Sequence, residues 1–372
     1  MTKKKILIDC RFIGSGSALG RYAEQLTLNL LDLKSQFLIR PILRNSLKEK
    51  IPRKLFKADP MWTDIVHYSF AEQFDLWKII KKEKPALVHF THFNAPIFSP
   101  KPFLVTIHDL TISQFRDKNH SFLERAAYNF LLKNLAKRAT HIIAPSERTK
   151  KDIEKILHVP EGKISKIYEG VEEKFKPQKE DKIKTMRKNF DLNAPFIMYA
   201  GQWRPHKNLL KLFEAFAILK NEYKIEEKLL LVGTPDPRYP EIPAKVKELG
   251  LENKVRFLGF VEEEWLSTLY SAASICVVPS LAEGFGFPPL EAMACGTVVA
   301  SSQISCLPEI LDQAAIFFDP YDEKDMAVKI YTALTNDRLR EVLIERGLHW
   351  VKRYNWHKVA EQTLRVYENL ID

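Results

Sequence analysis

The chain has 372 residues, 45% of them hydrophobic and 28% charged, with a formal net charge of +10. That length exceeds one ordinary core and predicts two domains, while no apolar run is long enough to cross a bilayer as a helix. The charge is uneven, with 32 Lys and Arg against 19 Asp and Glu up to Lys176 and 25 against 28 beyond it. The first half is therefore the part expected to meet an anionic partner, either nucleic acid or an anionic membrane surface. Its basic clusters, Lys78 to Lys84 and Lys133 to Arg138, fall on helix-like segments with apolar partners. Basic faces of amphipathic helices fit that pattern better than a nucleic-acid tail. Cys10, Cys276, Cys295 and Cys306 are spread without C-x-x-C spacing, which argues against a zinc site or a disulfide framework and for reduced thiols in a cytoplasmic protein.

In chain order, Lys3 to Asp9 reads as a first strand, too short in its apolar part for a signal peptide. A loop with Gly14, Gly16 and Gly20 follows, then helical spacing from Leu19. Strands are predicted at Phe37–Pro41, Leu87–Phe90, Phe103–His108 and His141–Ala144. Helices are predicted at Ser121–Ala139 and, capped by Ser146, around Thr149–Leu157. Ile164 to Tyr168 closes the first half. Lys174 to Lys188, charged and containing Pro177, is predicted to be a linker, and a second series of alternating strands and helices starts at Phe196. The predicted domains are 1–175 and 176–355, with a terminal helix from about 356 to 372 crossing back onto the first. Strands alternating with helices predict doubly wound parallel sheets.

The most informative segment is Glu283-Gly-Phe-Gly-Phe-Pro-Pro-Leu-Glu291. It lies between the strand-like runs Ile275–Ser280 and Val298–Ala300. Gly284 and Gly286 let backbone N–H groups approach a ligand, and a helix start beyond them favours an anion. Two carboxylates beside such a bed of donors suit a ligand with both hydroxyls and phosphates. Read by itself, the segment is better taken as a Gly-Pro loop entering a buried helix, with Glu291 as a first-turn acid.

Several elements occur together, in order: Gly16 to Tyr22, Val105–Asp109, Ala144-Pro-Ser146, Ile167–Val171, Tyr199-Ala-Gly-Gln-Trp-Arg-Pro-His-Lys-Asn208, Val255–Gly259, Pro279 to Gly296 and Leu307-Pro-Glu309. With these the chain resembles the retaining glycosyltransferases of family 4 over nearly its whole length. The resemblance implies the GT-B fold, two facing Rossmann-like domains with a deep cleft between them that closes to exclude water. It implies that Glu291 accepts from the donor's ribose hydroxyls and that Glu283 faces the donor sugar. Amides of Phe285, Gly286 and Leu290 would hold sugar and phosphate oxygens, and Lys207 would neutralise the leaving diphosphate. Family members place an arginine directly after the glycine of the fifth element. Here Gln202 stands in that place, and the role is carried to Arg204. Gly16 and Gly20 would bring a loop against the diphosphate, His108 would lie beside the donor sugar, and the loop from Arg256 to Gly259 would meet the base. His89 and His92 read as core histidines rather than acceptor ligands.

No D-x-D occurs, so the expected chemistry needs no metal and no cofactor beyond the nucleotide-sugar co-substrate. Gly-x-x-x-Gly-Arg-Tyr with Pro-His-Lys-Asn is most similar to mannosyltransferases of surface polysaccharide assembly. The expected reaction is transfer of a hexose, mannose favoured, from GDP to a saccharide or lipid-linked saccharide at the inner face of the membrane. The alternatives are another GT-B enzyme, such as a sugar-nucleotide epimerase, or a non-catalytic sugar-nucleotide binder.

Overall fold

A computed structural model describes residues 3–111 and 122–371. The chain divides into two compact units. The first runs to Leu110, resumes beyond the undescribed stretch as far as Gly170, and takes back the chain from Tyr354, while the second holds Val171–Arg353.

The first unit is built on seven parallel strands: β1 Lys4–Asp9, β2 Phe37–Arg44, β3 Met61–Thr63, β4 Leu87–Phe90, β5 Phe103–Thr106, β6 His141–Ala144 and β7 Ile164–Lys166. Their order is β3-β2-β1-β4-β5-β6-β7. All four residues of β4 and of β5 are buried, as expected of a parallel sheet covered on both faces. Helix Ala18–Asp32 is capped by the Ser17 hydroxyl, which accepts from the Gly20 amide. The terminal helix Trp356–Ile371 lies against it. That helix buries Trp356, Val359, Ala360, Thr363, Val366 and Tyr367, a stripe at helical spacing. Gly170 makes room for it, since a Cβ there would lie 2.6 Å from Trp356 Cγ.

The second unit holds six parallel strands: β8 Phe196–Ala200, β9 Lys228–Val232, β10 Val255–Gly259, β11 Ile275–Val278, β12 Val299–Ser302 and β13 Ile316–Phe318, in the order β10-β9-β8-β11-β12-β13. One element here differs from expectation. The stretch read as a linker is a helix over Glu180–Asn189. Met186 is its single fully buried anchor, and the Arg187 guanidinium lies 5.6 Å from the Phe196 ring centroid and donates to the Leu192 and Ala194 carbonyls. A helix fastened by one methionine and the stems of long charged side chains has too few apolar residues to show a periodic stripe. The helix expected beyond Gly284 and Gly286 begins directly after the second glycine, at Phe287.

Both sheets are doubly wound, and in each the strand order reverses once, between β1 and β4 and between β8 and β11. Open parallel sheets offer a ligand crevice at the carboxyl ends of the strands on either side of that reversal.

Candidate active site

In the second unit, the segments leaving β8 and β11 carry the residues singled out from the sequence. After β8 the chain passes Gly201 and Arg204 into the turn Pro205–Lys207. Asn208 follows in the left-handed region at φ 58° and donates from Nδ2 to the carbonyls of Pro279 and Pro320. The Leu281 amide donates to the His206 carbonyl at 2.7 Å. These bonds fasten the ends of β8, β11 and β13 together and place Lys207 Nζ 2.7 Å from Glu283 Oε1.

Glu283 is also held through its backbone. Its amide donates to Ser305 Oγ, and the Ser305 hydroxyl donates to its carbonyl, both at 3.0 Å. Burial by itself would raise the Glu283 carboxyl, but the charge of Lys207 and its hydrogen bond outweigh that and hold the group below the ordinary carboxylate value. Glu283 is thus ionised at neutral pH and is an acceptor only.

Glu291 is buried in helix Phe287–Ala294, and its Oε2 accepts from the Tyr270 hydroxyl at 3.1 Å. Because the helix starts at Phe287, Glu291 lies beyond the first turn, which removes the reading of it as a first-turn acid. Gly286 precedes the helix at φ 97°, a conformation that favours glycine. Pro288 and Pro289 carry no N–H, so the N–H groups entering this helix belong to Gly286, Phe287 and Leu290. Gly284 and Phe285 lead into them, with the Phe285 ring buried. Arg204 is a quarter exposed, with Nε 3.8 Å from Asp236 Oδ2, and Gln202 is exposed in the same loop. At Gly233 a Cβ would fall 2.0 Å from the Gly201 carbonyl oxygen. Only glycine permits that approach between the ends of β8 and β9.

Arg256 corrects the expectation. It is the second residue of β10, and its guanidinium donates to the Asp191 carbonyl, ahead of β8. That is the amino end of the sheet, opposite Lys207 and Glu283. It borders a cavity of about 450 Å³ that Asn193, Lys228 and Glu252 also line. A motif fixes position along a strand, and here the side chain emerges too early in the strand to reach the carboxyl edge.

In the first unit, Gly16 stands at φ 71° in the loop after β1. Gly20 lies in the first turn of helix Ala18–Asp32, where a Cβ would be 2.5 Å from the Phe12 carbonyl oxygen. Its missing side chain is explained by contact with its own loop. His108 follows β5 with both ring nitrogens engaged, Nδ1 2.7 Å from Glu169 Oε1 and Nε2 2.8 Å from the Thr91 carbonyl. Both partners are acceptors, so the imidazolium is the form that satisfies them. Burial opposes that charge, but Glu169 prevails and the pKa is raised. His89 is a satisfied core histidine, bonded to the hydroxyls of Tyr367 and Thr106, and burial lowers its pKa to about 3. His92 is buried against Asn94 Oδ1 and is likewise pushed down to about 3.

Sequence reasoning missed Ser305, Tyr270 and Glu169, each of which holds a predicted residue in place. It also missed a buried ion cluster after β1. There Arg11 Nη2 lies 2.7 Å from both Asp9 Oδ2 and Glu72 Oε1. Glu169 stood within a quoted element and carried a local signal. Ser305 and Tyr270 lie 22 and 21 positions from the residues they hold, and Glu72 lies 61 from Arg11, with no motif to link them.

Two parallel sheets wound in this way are the architecture of GT-B glycosyltransferases. Residues 33–175 match the family described as Glycosyltransferase Family 4, and residues 181–350 that described as Glycosyl transferases group 1. An O-antigen chain mannosyltransferase of Salmonella typhimurium is 31% identical over 297 residues, 80% of this chain and 77% of that one. Another, from Escherichia coli, is 28% identical over 272 residues, 72% of this chain and 70% of that one. Among solved structures, Anabaena HepE in complex with UDP and glucose aligns over 99% of this chain and 100% of that one, with a TM-score of 0.77 and 18% identity. The chain belongs to the family 4, group 1 glycosyltransferases.

Proposed function

We propose that this glycosyltransferase moves mannose from GDP-mannose to a saccharide or lipid-linked saccharide during surface polysaccharide assembly, with retention of anomeric configuration and without a metal. The observation that carries the reading is the Lys207–Glu283 pair at 2.7 Å, beside the reversal of strand order in the second sheet and directly before the helix that carries Glu291. Mannose is favoured because both curated relatives above are O-antigen chain mannosyltransferases. A nucleotide-sugar donor is favoured by the UDP and glucose bound to the Anabaena protein of the same fold.

Within this reading each residue has one task. Lys207 gives one N–H to Glu283 and has two more, which suit oxygens of a diphosphate gaining charge as the sugar bond breaks. With no D-x-D in the sequence, Lys207, Arg204 and the amides entering helix Phe287–Ala294 supply the stabilisation a metal would otherwise give. Glu291, fixed by Tyr270, takes the ribose hydroxyls, and Glu283 takes sugar hydroxyls. The acceptor hydroxyl attacks on the face the diphosphate leaves, and a leaving phosphate oxygen takes its proton. Glu283 then orients the sugar without forming a bond to it. His108 has both nitrogens engaged, by Thr91 and Glu169 of its own unit, and transfers no proton.

A thermal-shift panel of GDP-, UDP- and ADP-sugars tests the donor, since a ligand bound only by the folded chain raises its melting temperature. Stabilisation by GDP-mannose above the others is expected, together with loss of transfer in Glu283→Ala at unchanged fold. A larger shift with a UDP- or ADP-sugar overturns the donor, and undiminished transfer by Glu283→Ala overturns the site.

A further inference from the structure

β11 ends at Val278, yet the chain beyond it is still gripped from both sides. Toward β8, Asn208 Nδ2 donates to the Pro279 carbonyl at 3.1 Å, and the Leu281 amide donates to the His206 carbonyl at 2.7 Å. Toward β12, the Ser302 hydroxyl donates to the Ser280 carbonyl at 2.6 Å. Alternate residues bonded to opposite sides are what a strand inside a parallel sheet presents. Past Leu281 the bonds come from the segment that follows β12. Ser305 exchanges two bonds with the Glu283 backbone, both at 3.0 Å, and the Cys306 thiol donates to the Phe285 carbonyl at 3.4 Å. Ser302, Ser305 and Cys306 thus hold Ser280, Glu283 and Phe285 in step. The pairing of β11 with β12 is carried on by side chains until helix Phe287–Ala294 is near.

Ser305 does this against its own backbone preference. It stands at φ 63°, the left-handed region that a residue with a Cβ enters unfavourably and glycine enters freely. Its conformation therefore does not call for a serine, whereas its hydroxyl both accepts from and donates to Glu283. Strain of this kind persists where the surrounding structure over-determines it, and it collects at functional sites. Lys207 fixes Glu283 at the carboxylate, and Ser305 fixes it at the backbone. Glu291 has an anchor of its own, the Tyr270 hydroxyl at 3.1 Å. The sugar-facing and ribose-facing acids are thus held by different partners.

We propose that Ser305 is a positioning residue of the transfer reaction, aiming Glu283 at the donor sugar and leaving the nucleotide end of the site to Glu291. The inference rests on the preceding reading, in which Glu283 meets the sugar and Glu291 the ribose. Orientation of this kind acts on rate, since a misplacement of about 1 Å costs roughly a hundredfold.

Two variants separate the hydroxyl from the strain. Ser305→Gly removes the hydroxyl and relieves the backbone, so its melting temperature should stay within about 3 °C of the parent's. Ser305→Thr keeps the hydroxyl but puts a β-branched residue at φ 63°, and should melt below Ser305→Gly. Turnover should run in the opposite order. It is read as GDP released from GDP-mannose, with methyl α-mannoside or water as acceptor. Ser305→Gly should lose roughly tenfold to a hundredfold in kcat while its affinity for GDP alone is kept, and Ser305→Thr should recover most of that kcat. A serine needed only for stability would give one order in both measurements. Parental kcat in Ser305→Gly, a loss of GDP affinity that matches the loss of kcat, or Ser305→Thr slower than Ser305→Gly overturns the proposal. Glu283→Ala, assayed beside them, separates the two readings. If it is inactive while Ser305→Gly is undiminished, Ser305 falls and the site stands; if it transfers normally, the site itself falls. A parent that uses a UDP-sugar in place of GDP-mannose overturns the donor, and the same variants are then compared with UDP and that sugar nucleotide.

Discussion

Removal of Lys207 isolates the electrostatics of the candidate site. Lys207 and Glu283 keep 17% and 13% of their side-chain surface, and their charged atoms are 2.7 Å apart. Breaking a buried pair from one side costs about 3–5 kcal/mol, because the other charge is left without compensation. Partial exposure here brings the expected cost of Lys207→Ala to about 2–3 kcal/mol, or roughly 5–10 °C in melting temperature for a unit of this size. The pH dependence identifies the cause. In the parent, Glu283 is held below its ordinary value of 4.5. Its contribution is present above that value and is lost as pH falls through the folded-state pKa. In Lys207→Ala burial, the largest influence, is opposed only by the Ser280 hydroxyl and the charge of His206 and raises the carboxyl, so the penalty is full at neutral and alkaline pH and is relieved as the group takes up a proton. The gap between parent and variant should therefore narrow on going from pH 7.5 to pH 5. Lys207→Ala/Glu283→Gln should be more stable than Lys207→Ala alone, since no unpaired charge remains. Differential scanning fluorimetry across pH measures both. A gap independent of pH, or additive losses in the double variant, would refute the account.

The remaining predictions concern three other positions. Arg204→Ala should lower kcat/KM by roughly a hundredfold with little change in melting temperature, by the magnitude of one lost charge-stabilising donor; unchanged kinetics would return Arg204 to a surface role beside Asp236. The raised pKa of His108 makes its contribution complete below 6.5 and lost as pH rises through the folded-state value. Parent stability should accordingly fall on the alkaline side more than that of His108→Gln, and parallel curves would remove the imidazolium. Gly233→Ala should destabilise by roughly 3 kcal/mol or more, since its Cβ would lie 2.0 Å from a carbonyl oxygen of the next strand end. Chemical denaturation with a loss under about 1 kcal/mol would show that the two strand ends separate easily.

What the sequence made legible was local. A buried parallel strand is a short apolar run between turn residues, and Leu87–Phe90, Phe196–Ala200 and Ile275–Val278 are such runs. Lys207 and Glu283 were found because each sits within a contiguous element directly after one of them. Helix Glu180–Asn189 was hidden because its only fully buried residue is Met186. Strands of three residues, Met61–Thr63 and Ile316–Phe318, are too short for any period to register. Arg256 was misplaced for a different reason: it was read as part of a loop, whereas it is the second residue of β10, and a strand has two ends. Only the bond to Asp191 reveals which end the side chain serves.

The partnerships that sequence could not show are those closed across the chain, and one of them makes its own prediction. His89 and Tyr367 are 278 positions apart, yet His89 Nδ1 lies 2.7 Å from the Tyr367 hydroxyl. The bonds continue from His89 Nε2 to Thr106 Oγ1 at 2.8 Å and from Thr106 to the Tyr22 hydroxyl at 3.0 Å, all buried. The terminal helix is thereby joined through a polar chain to β4, β5 and helix Ala18–Asp32 of the first unit. Tyr367→Phe keeps the ring and its packing but leaves a buried ring nitrogen without a partner. His89 cannot escape by taking up a proton, since its pKa is already held near 3 by burial. The expected loss is the desolvation of one unpaired group, about 1–3 kcal/mol. His89→Phe with Tyr367→Phe should recover part of it, because replacing both partners by apolar rings leaves only Thr106 to be satisfied. Urea denaturation of the single and double variants decides the matter. If Tyr367→Phe proves neutral, the terminal helix is held by its apolar stripe alone and the polar chain adds no stability.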